Sequence, residues 1–168
     1  SELSHEQLST MLVSPKLALI QYVVGVDTSF VFVARRNANG TVELNAFQIK
    51  ATQEELASQV KAFTSQIARR KKTAELGNQL FRKLFPNECL KQLKGVKRLV
   101  IVPDGPLWQL PFVALPPTKS SYLVENWTVS FAPSFAALHA IKSRRKSSIS
   151  SNSSLLALGD PDLTQYTS

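Results

Sequence analysis

The sequence predicts an α/β fold of three layers, in which helices cover both faces of a mainly parallel sheet that begins with an antiparallel β-hairpin. Two apolar runs of strand length, residues 99–102 and 155–158, are uninterrupted, which is typical of strands buried on both faces. Helical segments lie between them, as parallel strands require. The Asn39-Gly40 pair between two further strand-like segments marks the hairpin.

Residues 1–50 are predicted to hold one short helix and antiparallel strands. Residues 5–12 place apolar side chains on one side of a helix that ends before a proline. Residues 17–24 and 29–36 are rich in β-branched and aromatic side chains, which favour strands. Residues 41–49 return after the turn as the partner strand.

Residues 51–96 are predicted to be helical. Thr52 can cap the first helix, and glutamates occupy the first turn after it. Apolar residues recur at helical spacing in two successive stripes, Leu56, Val60, Phe63 and Ile67 in the first and Leu76, Leu80 and Leu84 in the second. Pro86 ends the second helix, and Asn87 is predicted to cap a short third one.

Residues 97–168 are predicted to hold the core strands. Pro103 ends the first of them, because proline cannot donate to a ladder, and Asp104-Gly105 forms a tight turn. The residues that follow are too apolar for a solvated loop and are expected to pack onto the core. Trp108 is therefore predicted to be buried with its indole N–H bonded, so that alanine there would cost about 3–5 kcal/mol.

The rest of this segment is predicted to add two strands and a helix. Residues 127–131 have strand composition, and Pro133-Ser134 is a favourable helix start. Residues 146–154 are rich in serine and poor in apolar side chains, which predicts a flexible surface loop before the final strand at residues 155–158.

Three blocks of the sequence, in this order, resemble the CHAT family, a caspase-like domain often attached to helical TPR repeats. They are VPDGPLWQLPFVAL (102–115), YLVENWTVSFAPSFAAL (122–138) and LLALGDPDL (155–163). The first block holds the residues expected to form the family's structural motif, namely Pro103, Asp104, Gly105, Trp108 and Pro111. The resemblance implies a sheet similar to that of caspases and separases.

The resemblance also implies an activity, since active members of the family are cysteine peptidases with a His–Cys dyad. In the family that dyad lies downstream of the third block, so no residue of this chain matches it. The chain would then be the amino-terminal, non-catalytic part of an incomplete domain of a caspase-type endopeptidase. The alternative is a CHAT-like scaffold for protein interaction and signalling, attached to TPR repeats and lacking a working dyad; the sequence does not choose between the two.

Catalytic candidates within the chain are few. Cys89 falls in the first turn of a predicted helix, a position that can lower a thiol pKa, but no histidine is near it in sequence. His139 is expected at the edge of an apolar helix face, and His5 near a frayed terminus. No phosphate-binding loop and no metal-ligand spacing occurs, so no metal and no cofactor is predicted.

Asp160 and Asp162 are the candidate substrate-binding residues. They follow a predicted buried strand, and ligands of open α/β sheets bind beyond the carboxyl ends of strands. A carboxylate there would select a basic side chain. The neighbouring glycine and proline equally predict an ordinary turn.

The resemblance implies a protein or peptide as substrate or partner, and the composition is compatible with a cytoplasmic location. The single cysteine is compatible with a reducing compartment, and no apolar run is long enough for a membrane span. The net charge is +8, with basic clusters at residues 69–72, 94–98 and 144–146. These clusters are interpreted as solvated helix ends, because no aromatic residues interleave with them as a nucleic-acid stacking surface would require. The alternative is that they bind a nucleic acid or another acidic partner.

Overall fold

The computed structural model describes residues 4–118 and 121–148, the last four of them as backbone only. In this part of the chain five strands form one open sheet: β1 (Leu17–Val23), β2 (Ser29–Arg36), β3 (Val42–Ile49), β4 (Arg98–Val102) and β5 (Thr128–Phe131). Their order across the sheet is β3-β2-β1-β4-β5. β2 is antiparallel to both of its neighbours, whereas β1, β4 and β5 run parallel. The predicted antiparallel opening and parallel core are both confirmed.

Helices cover both faces of this sheet. The described helices are α1 (His5–Met11), α2 (Gln53–Ala68), α3 (Ala74–Leu84), α4 (Asn87–Gln92), α5 (Leu123–Asn126) and α6 (Phe135–Ser148). One apolar cluster joins the sheet to α2, α3, α4 and α5, and a second joins the opposite face to α1 and α6. The molecule therefore has the three layers that the sequence predicts.

The run at residues 99–102 lies in the interior of the sheet, as predicted. Leu99 and Ile101 are fully buried on the face that carries α2 to α5, and Val102 is buried on the other. β4 pairs with β1 on one side and with β5 on the other, so its main-chain groups are bonded along both edges. A strand with both faces covered needs apolar side chains at every position, which explains the unbroken run.

Helix ends agree with the predicted capping signals at Thr52 and differ at Asn87. The Thr52 hydroxyl accepts from the Glu55 N–H, and the Glu55 carboxylate accepts from the Thr52 N–H, which completes a capping box. The predicted cap at Asn87 is wrong by one residue. Pro86 holds the extended cap position and Asn87 is already helical, without a side-chain bond to the helix end.

Two further predictions are corrected at helix ends. Ile67 closes the apolar stripe in the last turn of α2 but is 38% exposed, whereas Leu56, Val60 and Phe63 are buried. The serine-rich loop was expected over residues 146–154, but residues 146–148 are helical, since α6 continues to Ser148. Residues 149–154 and the predicted strand at 155–158 lie outside the described residues.

Arg36 fixes α1 against the sheet. Its guanidinium donates from Nε to the Leu12 carbonyl at 2.7 Å and from Nη2 to the Ser9 carbonyl at 2.9 Å, and it also donates to Gly40. Because the Leu12 and Ser9 carbonyls lie at the end of α1, the Arg36 side chain satisfies part of the helix end and holds it over β2, while Lys142 donates to the Met11 carbonyl.

Candidate functional site

The turn after β4 lies at the carboxyl edge of the parallel strands and carries the motif of the first block. Pro103 is buried, and Asp104 begins a 3-10 helix at Gly105–Gln109. The Asp104 carboxylate accepts from the Val24 N–H at 2.7 Å through Oδ2 and from the Gly105 N–H at 2.9 Å through Oδ1. Val24 directly follows β1, so Asp104 joins the ends of two neighbouring strands.

This use of both oxygens gives Asp104 a structural role. Hydrogen bonds from main-chain N–H groups to a carboxylate are among the stronger ones in proteins, and here they replace strand pairing where the ladder ends. Gly105 completes the turn with a φ of 50°, and a Cβ at this position would meet Val24 at 3.7 Å. The obstacle to a larger residue is therefore the left-handed backbone rather than lack of space.

Trp108 does not lie in the core, and the prediction that it is buried with a bonded indole N–H is wrong. Its side chain is 51% exposed, and the indole N–H has no hydrogen-bond partner among the residues that the structure describes. The reason is the helix type. A 3-10 helix repeats every three residues, so Leu107 and Leu110 share the buried side and Trp108 between them faces solvent.

The same period of three governs the following 3-10 helix, Phe112–Ala114. Phe112 and Leu115 are fully buried, whereas Val113 is 39% exposed. The Phe112 ring lies 5.6 Å from that of Tyr22 and 5.9 Å from that of Phe131, between centroids. Phe112 is therefore the aromatic anchor of the motif, and it ties the connection after β4 to both β1 and β5.

Tyr22 extends this aromatic contact into the helical layer. Its hydroxyl donates to the Leu84 carbonyl at the end of α3, at 3.2 Å. Burial, with a smaller effect from the Cys89 thiol, raises the pKa of Tyr22 well above its usual range. Tyr22 is therefore a neutral structural donor at ordinary pH.

Cys89 is separated from both histidines by the sheet. The thiol is fully buried in α4, and this burial raises its pKa from 9.0 to about 12, which corrects the expectation that the first helical turn could lower it. α4 lies on one face of the sheet, whereas α1 with His5 and α6 with His139 pack against the other. A buried neutral thiol without an imidazole in reach has no means of becoming a nucleophile.

The amino edge of the parallel strands holds a cleft that the sequence did not point to. It is open to solvent, with a volume of about 690 Å³, and lies between α4 and the residues before β4 and β5. Leu90, Val96 and Trp127 give it apolar walls, and Lys91 and Lys94 stand at its rim. Trp127 was predicted as part of a strand and Lys94 as part of a solvated helix end, whereas Lys91 carried no prediction, so only the folded chain brings these residues together.

The predicted substrate-binding residues lie outside the described part of the chain. Asp160 and Asp162, the candidate substrate-binding residues, are not among the described residues, and neither is the strand that precedes them. Between residues 4 and 148, apart from 119 and 120, no three His, Cys, Asp or Glu side chains converge as a metal site would need. Within the same ranges, no helix has the length and hydropathy needed to cross a bilayer.

Comparisons with known proteins give one family. The model of the CHAT domain family matches residues 74–167, more than half of the chain, beginning at α3 and including the motif after β4. No curated protein matches the sequence.

Among solved structures, the chain is similar to a non-polymerisable quadruple mutant of pCBH ParM, with a TM-score of 0.40 and 13% identity. It is also similar to the apo psk41 ParM protein, with a TM-score of 0.34 and 10% identity. The aligned parts cover 82% and 83% of this chain but only 49% and 48% of the ParM chains, so this chain spans about half their length. Both likenesses are too distant to indicate a shared function.

Proposed function

The chain belongs to the CHAT domain family, and on that premise we propose that it is the amino-terminal, non-catalytic part of a caspase-type cysteine endopeptidase. In this proposal the His–Cys dyad is supplied by a part of the protein outside this chain. The chain contributes the sheet, with its carboxyl edge shaped by the Asp104 turn.

The position of Cys89 is the observation that supports placing the dyad outside this chain. The sequence contains one cysteine and two histidines, and the sheet stands between the thiol and both imidazoles. A dyad needs its base within hydrogen-bond reach of its nucleophile, and geometry takes precedence over pKa in such a pair. Cys89 instead fills the core between α4 and the sheet, where it acts as a small apolar side chain.

The second candidate is a CHAT-like scaffold that binds proteins and has no peptidase activity. The cleft at the amino edge favours it, since exposed cations around apolar walls are a surface for a partner rather than for a reaction. Attachment to TPR repeats belongs to this candidate as well, as does a cytoplasmic location for either one.

The test compares the chain with the longer protein that contains it. Both would be assayed against fluorogenic peptides that end in Arg, Lys or Asp, before and after treatment with a thiol alkylator. We expect turnover by the longer protein, its loss on alkylation, and no turnover by residues 1–168. In the longer protein, Cys89→Ser should retain activity, and Asp27→Ala, at an exposed side chain, serves as a folded control.

Two results would separate the alternatives. A folded longer protein without turnover on any peptide would support the scaffold. Loss of turnover in Cys89→Ser, with unchanged thermal stability, would contradict the proposal, because it would make Cys89 the nucleophile.

A further inference from the structure

The cleft at the amino edge, defined by α4, residues 93–96, Asn126 and Trp127, is held in place by main-chain hydrogen bonds. The main-chain N–H of Trp127 donates to the Leu123 carbonyl at 3.0 Å, and the main-chain N–H of Thr128 donates to the Lys97 carbonyl at 2.9 Å. These two bonds fix the wall of the cleft before β5. On the opposite side, the Arg35 guanidinium donates to the Gln92 carbonyl at the end of α4. A ligand would therefore enter a largely preformed site.

Exposed cations collect around this cleft. Lys91 and Lys94 line it. Lys97 and Lys16 are exposed just before β4 and β1 but outside the lining, and Arg98 alternates with Leu99 in β4 and so belongs to the other face of the sheet. The Lys97 and Arg98 N–H groups both donate to the Lys16 carbonyl, at 2.9 and 3.0 Å, so these backbones are adjacent. Among the residues described, neither Lys91 nor Lys94 has an ion-pair partner. The charge of both is therefore available to a ligand.

The interior of the cleft is apolar. Trp127 and Leu90 are half-buried and pack against the main core cluster, which leaves part of each side chain facing the cleft. A tryptophan held against the core in this way offers a large flat surface at a low cost in side-chain entropy.

We propose that the amino-edge cleft binds an extended acidic segment of a partner protein. An apolar side chain of that segment packs against Trp127 and Leu90, and carboxylates on either side of it pair with Lys91 and Lys94. This interaction goes beyond the proposed function and does not depend on where the catalytic dyad lies.

A peptide fits the cleft better than a nucleic acid does. Single strands are held by successive aromatic rings together with a continuous basic track, and this cleft offers one ring. Glu88 also lines the cleft beside the lysines, where its carboxylate would repel a phosphate chain. In a peptide the same position can be occupied by a main-chain N–H or a neutral side chain.

The experiment uses Trp127 as its own reporter. The chain has two tryptophans, so Trp108→Phe leaves Trp127 as the only source of indole fluorescence. In this background a short acetylated peptide of glutamates flanking one leucine would be titrated, with an oligouridine of matched charge in parallel. The cleft variant is Lys91→Glu with Lys94→Glu. The matched control is Lys61→Glu with Lys71→Glu, which makes the same change in net charge on α2 and just after it, outside the cleft.

We expect the peptide to shift the Trp127 emission and the cleft variant to raise its Kd about tenfold, with less than about a twofold change in the control. Three results would overturn the proposal. Equal weakening in both variants would mean attraction by net charge alone. Tighter binding of the oligouridine would make this a nucleic-acid surface. Absence of binding by either probe, in a folded chain, would mean that the cleft is not a docking site.

Discussion

The carboxyl edge and the amino edge of the same three parallel strands use their polar groups in opposite ways. At the carboxyl edge, both carboxylate oxygens of Asp104 accept hydrogen bonds from main-chain N–H groups, so this charge is already paired within the fold. At the amino edge, Lys91, Lys94 and Lys97 have no carboxylate partner among the described residues. One edge is built to hold the sheet together, and the other leaves its charges available.

This contrast shows that a motif and a binding surface need not coincide. The block around Asp104 is the most distinctive part of the sequence, yet its buried members maintain the turn. The lysines between α4 and β4 look like an ordinary solvated helix end in the sequence. Only their position beside Trp127 makes them part of a cleft. Substitutions at each edge measure how far it depends on these side chains.

Phe112→Ala should have the largest effect, since it removes the fully buried ring that joins the motif to β1 and β5. We expect the free energy of unfolding to fall by about 3–5 kcal/mol, a large part of the stability of a domain of this size. Urea denaturation followed by circular dichroism measures it. Val113→Ala, at the exposed neighbour, is the control, and a similar loss in both variants would contradict the assigned packing.

Cys89 should resist modification in the folded chain. Because burial raises its pKa to about 12, the thiol stays protonated at pH 8, and alkylation by iodoacetamide should be at least about a hundredfold slower than in urea. The raised pKa of Cys89 also makes the free energy of unfolding depend on pH. The stabilisation that comes from the neutral thiol is complete below pH 9 and is lost as the pH rises toward 12, because the unfolded chain releases this proton more readily than the folded one. Fast alkylation of the native chain at pH 8 would contradict the buried position.

Asp104→Ala should lower the free energy of unfolding by about 2 kcal/mol, because it leaves the Val24 and Gly105 N–H groups without their acceptor. Asp27→Ala removes an exposed carboxylate near the same edge of the sheet and should change stability by less than about 0.5 kcal/mol. Thermal melts of the two variants provide the comparison. If Asp104→Ala behaves like Asp27→Ala, the carboxylate is not what joins β1 to β4.

Trp108→Ala should have the smallest effect, within about 0.5 kcal/mol of the wild type, because half of the ring already faces solvent. The denaturation midpoint of this variant, measured beside that of Phe112→Ala, checks the assignment of the anchor. A loss of several kcal/mol in the free energy of unfolding would contradict this assignment and indicate that the Trp108 side chain packs in the core.

Local patterns along the chain account for much of the fold. The unbroken run at residues 99–102 predicted an interior strand, the Asn39-Gly40 pair a hairpin, and Thr52 a helix start. In each case the signal is short-range, since strand burial, turn geometry and capping depend on neighbouring residues. The resemblance of three short blocks to the CHAT family likewise needed only their order along the chain.

Packing between the elements set which side chains reach the core and which meet one another. Apolar character alone predicted burial for Trp108, but the period of a 3-10 helix, together with the side of it that packs on α2, gave the buried positions to Leu107 and Leu110. The cleft arose in the same way. Lys94 and Trp127 are far apart in the sequence, and they share a wall only because β4 and β5 begin side by side in the sheet. Long-range placement of this kind depends on how elements pack, which no local pattern encodes.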